Sequence, residues 1–286
     1  MLGHHPYTNL LQDTIGSDQE SDPDVFSSYP LLRMHPAQGS IPLHKFQHCY
    51  APLLFALMTL SKVFQQDYDV IWTNKLYHID ASCRYASLWN RLRFYLMKAI
   101  TTFYMIILPC YFHGLERGLF LFALGHLVCG EMLATMFIVN HVIEGVAFAE
   151  KKKKGETEQT LAPRTAKGFA PMLDLQKSHV NGKDKAIVPL NDWAAVQCQT
   201  SVNWSSGSWF WNHFSGGLNH QIEHHLFPSI CHSNYPYIQD VVESTCAEFG
   251  VPYRSEKNLW TAYGKMINHL KYLGTLHTTA VTKKEH

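Results

Sequence analysis

The chain has 286 residues, enough for one large domain or two small ones, and 46% of them are apolar. A formal net charge of +1 gives no ground for nucleic acid or another polyanion as partner. The seven cysteines form no C-x-x-C pair and are odd in number, which suggests neither a thiolate zinc site nor a disulfide framework; a reducing cytosolic face is expected.

The chain opens with MLGHHPYTN, which sets His4 beside His5, and residues 6–43 are rich in Asp, Ser, Pro and Gly without periodicity, the pattern of a loop. Residues 44–93 are expected to form interfacial or amphipathic helices. Their apolar part, CYAPLLFALMTLSKVF (49–64), would be roughly 24 Å long at ~1.5 Å per residue, short of a hydrocarbon core of roughly 30 Å. Residues 94–144 read as a transmembrane hairpin: FYLMKAITTFYMIILPCYF (94–112) and GLFLFALGHLVCGEMLATMFIV (118–139) are joined only by HGLER. Arg84, Arg91, Arg93 and Lys98 before the pair and Lys151 to Lys154 after it place both outer ends in the cytosol, with residues 113–117 on the luminal side. His126 and Glu131 interrupt the second span. Ionisable groups are costly at that depth, so they are expected to face the bundle interior and each other or a substrate path, or to serve as simple polar contacts in helix packing. Residues 145–192 read as a mobile polar insertion, and 193–286 as a cytosolic C-terminal region in which Trp204, Trp209 and Trp211 suit a membrane interface. Asn203-Trp204-Ser205 fits a glycosylation acceptor, which a cytosolic location rules out.

Within that last region, NHFSGGLNHQIEHHLFP (212–228) carries four histidines. A helix over 218–226 would bring Gln221, His224 and His225 to positions i, i+3 and i+4 on one face. Two neutral imidazoles there suit iron, zinc or copper, although histidines beside aromatic rings also serve as plain hydrogen-bonding groups. The same letters contain H-x-x-E-H, a zinc-peptidase arrangement with His220 and His224 as ligands and Glu223 as general base. A peptidase has no use for His225, for a second pair at His4 and His5, or for membrane spans between the pairs. A two-metal site at the cytosolic membrane face uses all three.

GGLNHQIEHHLFPSICHSNYPYI resembles the third histidine box, Q-x-x-H-H, of the membrane front-end fatty acid desaturases. The segment NW…GSWFWNHFSGG is similar to what precedes that box, and MLGHHPYTN resembles the end of the second box. The resemblance implies an all-α membrane protein, a transmembrane helical hairpin with cytosolic histidine-box helices, in the endoplasmic reticulum membrane. It implies two iron ions, with His4, His5, His141, Gln221, His224 and His225 as metal ligands and Asn140 assisting through a water. Glu144 or Glu223 would orient ligand rings. It also implies introduction of a cis double bond into a fatty acyl-CoA or acyl-phospholipid, between an existing double bond and the carboxyl end. O2 would be the oxidant, and electrons would arrive from NADH through its reductase and cytochrome b5.

The sequence departs from that pattern. It contains no H-x-x-x-H first box, no leading histidine for the second box, no cytochrome b5 domain and no earlier pair of spans. The expectation is therefore an incomplete di-iron centre in a truncated chain, with no desaturase activity from residues 1–286 alone. A catalytically silent subunit beside a longer partner is the other outcome. Since both boxes need the same side of the membrane, an even number of crossings must separate His5 from His224, which is why 49–64 is expected to lie at the interface.

Overall fold

The structure is a computed structural model that describes residues 10–11, 28–36, 38–76, 79–80, 82, 87–146, 149–150 and 193–276. His4, His5 and most of the polar insertion lie outside the described residues. The chain divides into two compact units, Tyr50–Thr135 and Met1–Cys49 with Met136–His286.

In the first unit the apolar segment expected at 49–64 is the middle of a longer helical run: α1 (Gln47–Ala56), α2 (Met58–Ser61), a π turn (Lys62–Gln66) and α3 (Asp67–Thr73). Hydropathy falls away after Phe64, but helical pairing does not, because Lys62 Nζ reaches Gln66 Oε1 at 3.2 Å across one turn. Asn74 ends the run in a left-handed conformation at φ 54°. Helix α4 (Leu88–Thr102) starts where the Ser87 side chain accepts from the Trp89 amide at 3.2 Å. A π turn (Phe103–Ile107) leads into α5 (Leu108–His113). Pro109 has no amide hydrogen for the Met105 carbonyl four residues back, and the widened turn falls at that missing bond. Gly114, at φ 82°, breaks the chain before α6 (Leu115–Ile138).

The run 47–73 and α6 lie antiparallel. A Cβ on Gly130 would sit 2.2 Å from the Ala56 carbonyl oxygen, so only glycine permits this approach. Farther along, Thr59 Oγ1 donates to the His126 carbonyl at 2.8 Å and accepts from His126 Nδ1 at 3.1 Å, and the Phe64 and Phe122 rings meet edge-on at 6.2 Å. Glu131 instead accepts from Thr135 at 3.3 Å. The His126 ring and one Glu131 oxygen thus make polar contacts with threonines of the packed helices. Lys98 joins α4 to this run, donating to Asp67 at 2.6 Å and to the Val63 carbonyl at 2.9 Å. Leu88–His113 and Leu115–Ile138 are long and apolar enough to cross a membrane, and the most apolar window of the first is nowhere buried by protein. Trp89, Tyr104, Tyr111, Phe112 and Phe120 stand exposed. A patch of this extent is costly in water and suits hydrocarbon.

The second unit contains α7 (Trp193–Gln199), α8 (Trp209–Phe214), α9 (Gln221–Leu226), α10 (Tyr235–Phe249) and α11 (Leu259–Thr275). Asn203–Trp204 pairs in parallel with Ser255–Glu256. Cys198, Ile222, Val242 and Cys246 form a buried cluster that joins α7, α9 and α10. Helix α11 docks on a 3-10 helix, Pro42–Phe46, so closely that a Cβ on Gly274 would lie 1.9 Å from the His44 carbonyl oxygen. The C-terminal carbonyls of α11 need donors. Buried Arg33 supplies one to Leu273 at 2.8 Å, and Gln47 Nε2 reaches Leu270 at 2.7 Å.

Candidate metal centre

Three of the sequence-derived ligands converge in the second unit. His141 lies in the turn just past α6, Gln221 opens α9, and His225 stands one helical turn after Gln221; all three are buried. The His141 and His225 rings lie 4.9 Å apart, tilted by 64°.

Their hydrogen bonds fix their protonation. His141 Nδ1 lies 3.0 Å from the Thr200 carbonyl, which can only accept, so Nδ1 carries the hydrogen and Nε2 the lone pair. Consistently, the Gln221 amide nitrogen donates to His141 Nε2 at 2.9 Å. His225 Nδ1 donates to Gln197 Oε1 at 2.7 Å, which likewise leaves its Nε2 with the lone pair. Asn140 ties the group together: its Nδ2 faces Gln221 Oε1 at 2.9 Å, the Met136 carbonyl at 2.8 Å and the Leu218 carbonyl at 3.1 Å. Its Oδ1 accepts from the Trp204 indole at 2.7 Å.

His224 does not join them. The expected helix 218–226 is shorter: residues 218–220 form a 3-10 turn, and α9 spans only Gln221–Leu226. One residue turns the side chain by roughly 100°, and His224 Nδ1 shares a hydrogen bond with Tyr235 Oη at 3.2 Å. Its ring lies 5.8 Å from that of His225. Among the described residues no three His, Cys, Asp or Glu side chains gather closely enough to hold a metal ion. What is present is a pair of imidazole Nε2 lone pairs, that of His141 engaged by the Gln221 amide, with each Nδ1–H tied to an oxygen. Nitrogen-rich iron sites use that ligand type, and metal-bound histidines show that outer bond. The donor set fits one side of an iron site.

Glu223 plays neither of the parts expected of it. It accepts from Asn203 Nδ2 at 2.8 Å and from Tyr253 Oη at 2.8 Å, and burial raises its pKa above the usual carboxylate range. A carboxylate held this way is not poised to activate a zinc-bound water, and it touches neither His141 nor His225 through any of these bonds. His220, the other element of the peptidase pattern, is wholly buried, with its pKa pushed down to about 4 by desolvation. Glu144 is exposed. Asn203 is fully buried, which closes it to glycosylation. Gln197 and Thr200 are the contributors that sequence patterning missed, since each reaches the site across 28 or more residues, as in the 28 that separate Gln197 from His225, while Trp204, expected at a membrane interface, is fully buried and donates to Asn140.

The family model for fatty acid desaturases matches residues 2–257. The chain is 35% identical over 277 residues to an acyl-lipid (8-3)-desaturase of Physcomitrium patens, covering 96% of this chain and 49% of that protein. It is 30% identical over 278 residues to an acyl-lipid (8-3)-desaturase of Mortierella alpina, covering 96% and 52%. A Delta(5) fatty acid desaturase A of Dictyostelium discoideum is 29% identical over 276 residues, covering 96% and 51%. No solved structure matches. The chain belongs to the fatty acid desaturase family. It spans about half the length of these curated relatives.

Proposed function

We propose that this chain forms the C-terminal, metal-holding half of a front-end acyl-lipid desaturase of the endoplasmic reticulum membrane. The observation that carries the reading is the His141–His225 pair, both rings with Nδ1–H spent on an oxygen and Nε2 carrying the lone pair. His141, Gln221 and His225 would hold iron, joined by His224 after a side-chain rotation away from Tyr235, and by His4 and His5. Bound iron supplies the activation of O2 that removal of two hydrogens from an unreactive methylene requires. The chain's own residues then have three tasks: Asn140 and Gln221 fix the turn that carries His141, Gln197 fixes His225, and the surrounding buried side chains exclude water. The relatives' names include acyl-lipid (8-3) and Delta(5) desaturases. A polyunsaturated acyl chain on a lipid is accordingly the substrate proposed here ahead of acyl-CoA, with cytochrome b5 and its NADH-dependent reductase as electron donors.

In this reading α4 to α6 form the membrane hairpin, with Gly114 on the luminal side. The pairing of Ala56, Thr59 and Phe64 with the middle of α6 argues that the run 47–73 reaches membrane depth. The even crossing count then requires a segment that enters the bilayer without completing a crossing.

The test joins Met1 to the part of the Physcomitrium patens relative that precedes the matched region. The chimera is expressed in cells fed unsaturated C18 and C20 acids, and acyl products are read by gas chromatography. A new double bond on the carboxyl side of an existing one, lost in the His225→Ala chimera, is the expected result. An inactive chimera with normal membrane insertion and full iron loading would overturn the proposal.

A further inference from the structure

The two rings of the candidate centre come from segments more than eighty residues apart in sequence, yet the end of one short helix holds both. Gln197, in the last turn of α7, accepts from His225 Nδ1, and the main-chain carbonyl of Thr200, one residue past that helix, accepts from His141 Nδ1. The last carbonyls of a helix lack intrahelical partners and carry its partial negative charge, so such a carbonyl is a ready acceptor for an imidazole N–H. The helix end is itself pinned: the Thr200 amide and Oγ1 both donate to the Val196 carbonyl, at 2.9 and 2.8 Å. Cys198, between the two acceptors, is packed into the apolar cluster with Ile222, Val242 and Cys246.

The geometry points to Gln197 as a positioning residue that selects the Nδ1–H tautomer of His225 and so presents Nε2 to the metal, while α7 as a whole serves both ligands. This rests on the metal-site reading above. An imidazole with no outer acceptor has two tautomers and a free ring rotation, and each must be restricted before a metal binds. A glutamine oxygen restricts both and adds no charge to a site buried from water. A leucine of similar volume keeps the packing but offers no acceptor. A glutamate keeps the acceptor.

The experiment uses the full chain in detergent, titrated anaerobically with iron(II) against a chelator of known affinity. Thermal unfolding of the metal-free protein is followed in parallel. The set is wild type, Gln197→Leu, Gln197→Glu and the double variant His141→Ala/His225→Ala. Loss of an outer partner typically lowers metal affinity by about 10- to 100-fold, which is the fall expected for Gln197→Leu. Gln197→Glu is expected to stay near wild type, because the acceptor is restored. A purely structural glutamine would lower the metal-free melting temperature of Gln197→Leu without changing iron affinity, and that result overturns the inference. Equal weakening in the Leu and Glu variants overturns it too, since the acceptor would then be irrelevant. If wild type binds iron no better than the double histidine variant, the metal-site reading falls and takes this inference with it; wild-type binding with Gln197→Leu unaffected removes the inference alone.

Discussion

Asn140 is the position where one substitution should cost the most for its size. It is fully buried, and its amide faces Gln221, two main-chain carbonyls and the Trp204 indole at once. Asn140→Leu keeps the branched shape, is somewhat larger, and removes every one of these bonds. The Trp204 indole N–H and Gln221 Oε1 are then left in a dry environment, at about 1–3 kcal/mol each, or roughly 4 kcal/mol together. A domain has only about 5–15 kcal/mol in total. For a unit of this size each kcal/mol moves the melting temperature by about 2–4 °C, so a drop of roughly 8–16 °C is expected. Asn140→Asp separates shape from hydrogen bonding: it keeps the acceptor for Trp204 but turns the donor into an oxygen facing three carbonyl oxygens, and should also melt early. The measurement is tryptophan-fluorescence melting of the metal-free chain in detergent. Both variants melting within about 2 °C of wild type would refute the account, because the bonds would then contribute nothing net.

Three further outcomes can be checked on the same protein. Burial lowers the pKa of His269 to about 4. The folded-state value lies below the unfolded value, so the unfolded chain protonates first as pH falls; stability is full above about pH 6.5, declines toward pH 4 and levels off below it, a loss on the order of 3 kcal/mol. His220 shares this window, so His269→Leu should reduce the fall in melting temperature between pH 7 and pH 4.5 by roughly half rather than abolish it, and parallel curves for variant and wild type would rule His269 out as a cause. Gly274→Ala should lower stability by about 1–3 kcal/mol, since the new methyl collides with the His44 carbonyl rather than with a side chain able to swing aside; an unchanged melting temperature would mean that α11 does not dock there. In microsomes, an epitope inserted at Gly114 should be protected from added protease and one at Gly155 cleaved, and cleavage of both would remove the hairpin.

What the sequence disclosed of this centre follows the reach of local geometry. Gln221 and His225 are four apart, a spacing that survives even in a helix as short as α9, and their convergence was readable. His224 shares that face by the same spacing, since residues 221, 224 and 225 all lie within α9, but its ring meets Tyr235 from another helix, a contact with no local sign in the sequence. Gln197 left no local sign, as its partner lies on a different helix, and the Thr200 carbonyl is main chain that no residue letter encodes. The extent of the 47–73 run was underestimated for a related reason: hydropathy marks what faces lipid, whereas the charged half of that run is stabilised by Lys98 from α4.

Amides outnumber carboxylates around His141 and His225, and burial explains why. Asn140, Gln197, Asn203 and Gln221 are all buried at or near 0–1% exposure. An ionised group in such a place needs a partner of opposite charge or shifts its pKa until it is neutral. Burial raises the pKa of Glu223, and the hydrogen bonds it accepts from Asn203 and Tyr253 offset part of that cost. An amide offers a donor and an acceptor together, so it can fix an imidazole tautomer on one side and a carbonyl on the other while the metal-free fold carries no uncompensated charge. Neutral amides spare the metal-free fold a buried charge, and the positive charge of a bound metal would be balanced by its ligands rather than by this scaffold. Replacing Gln197 by Glu tests the trade directly: metal affinity should hold, while the metal-free chain loses stability by about 1–3 kcal/mol as pH rises and the new carboxylate ionises. A Gln197→Glu chain as stable as wild type at pH 8 would show that the site tolerates buried charge and that its amides serve geometry alone.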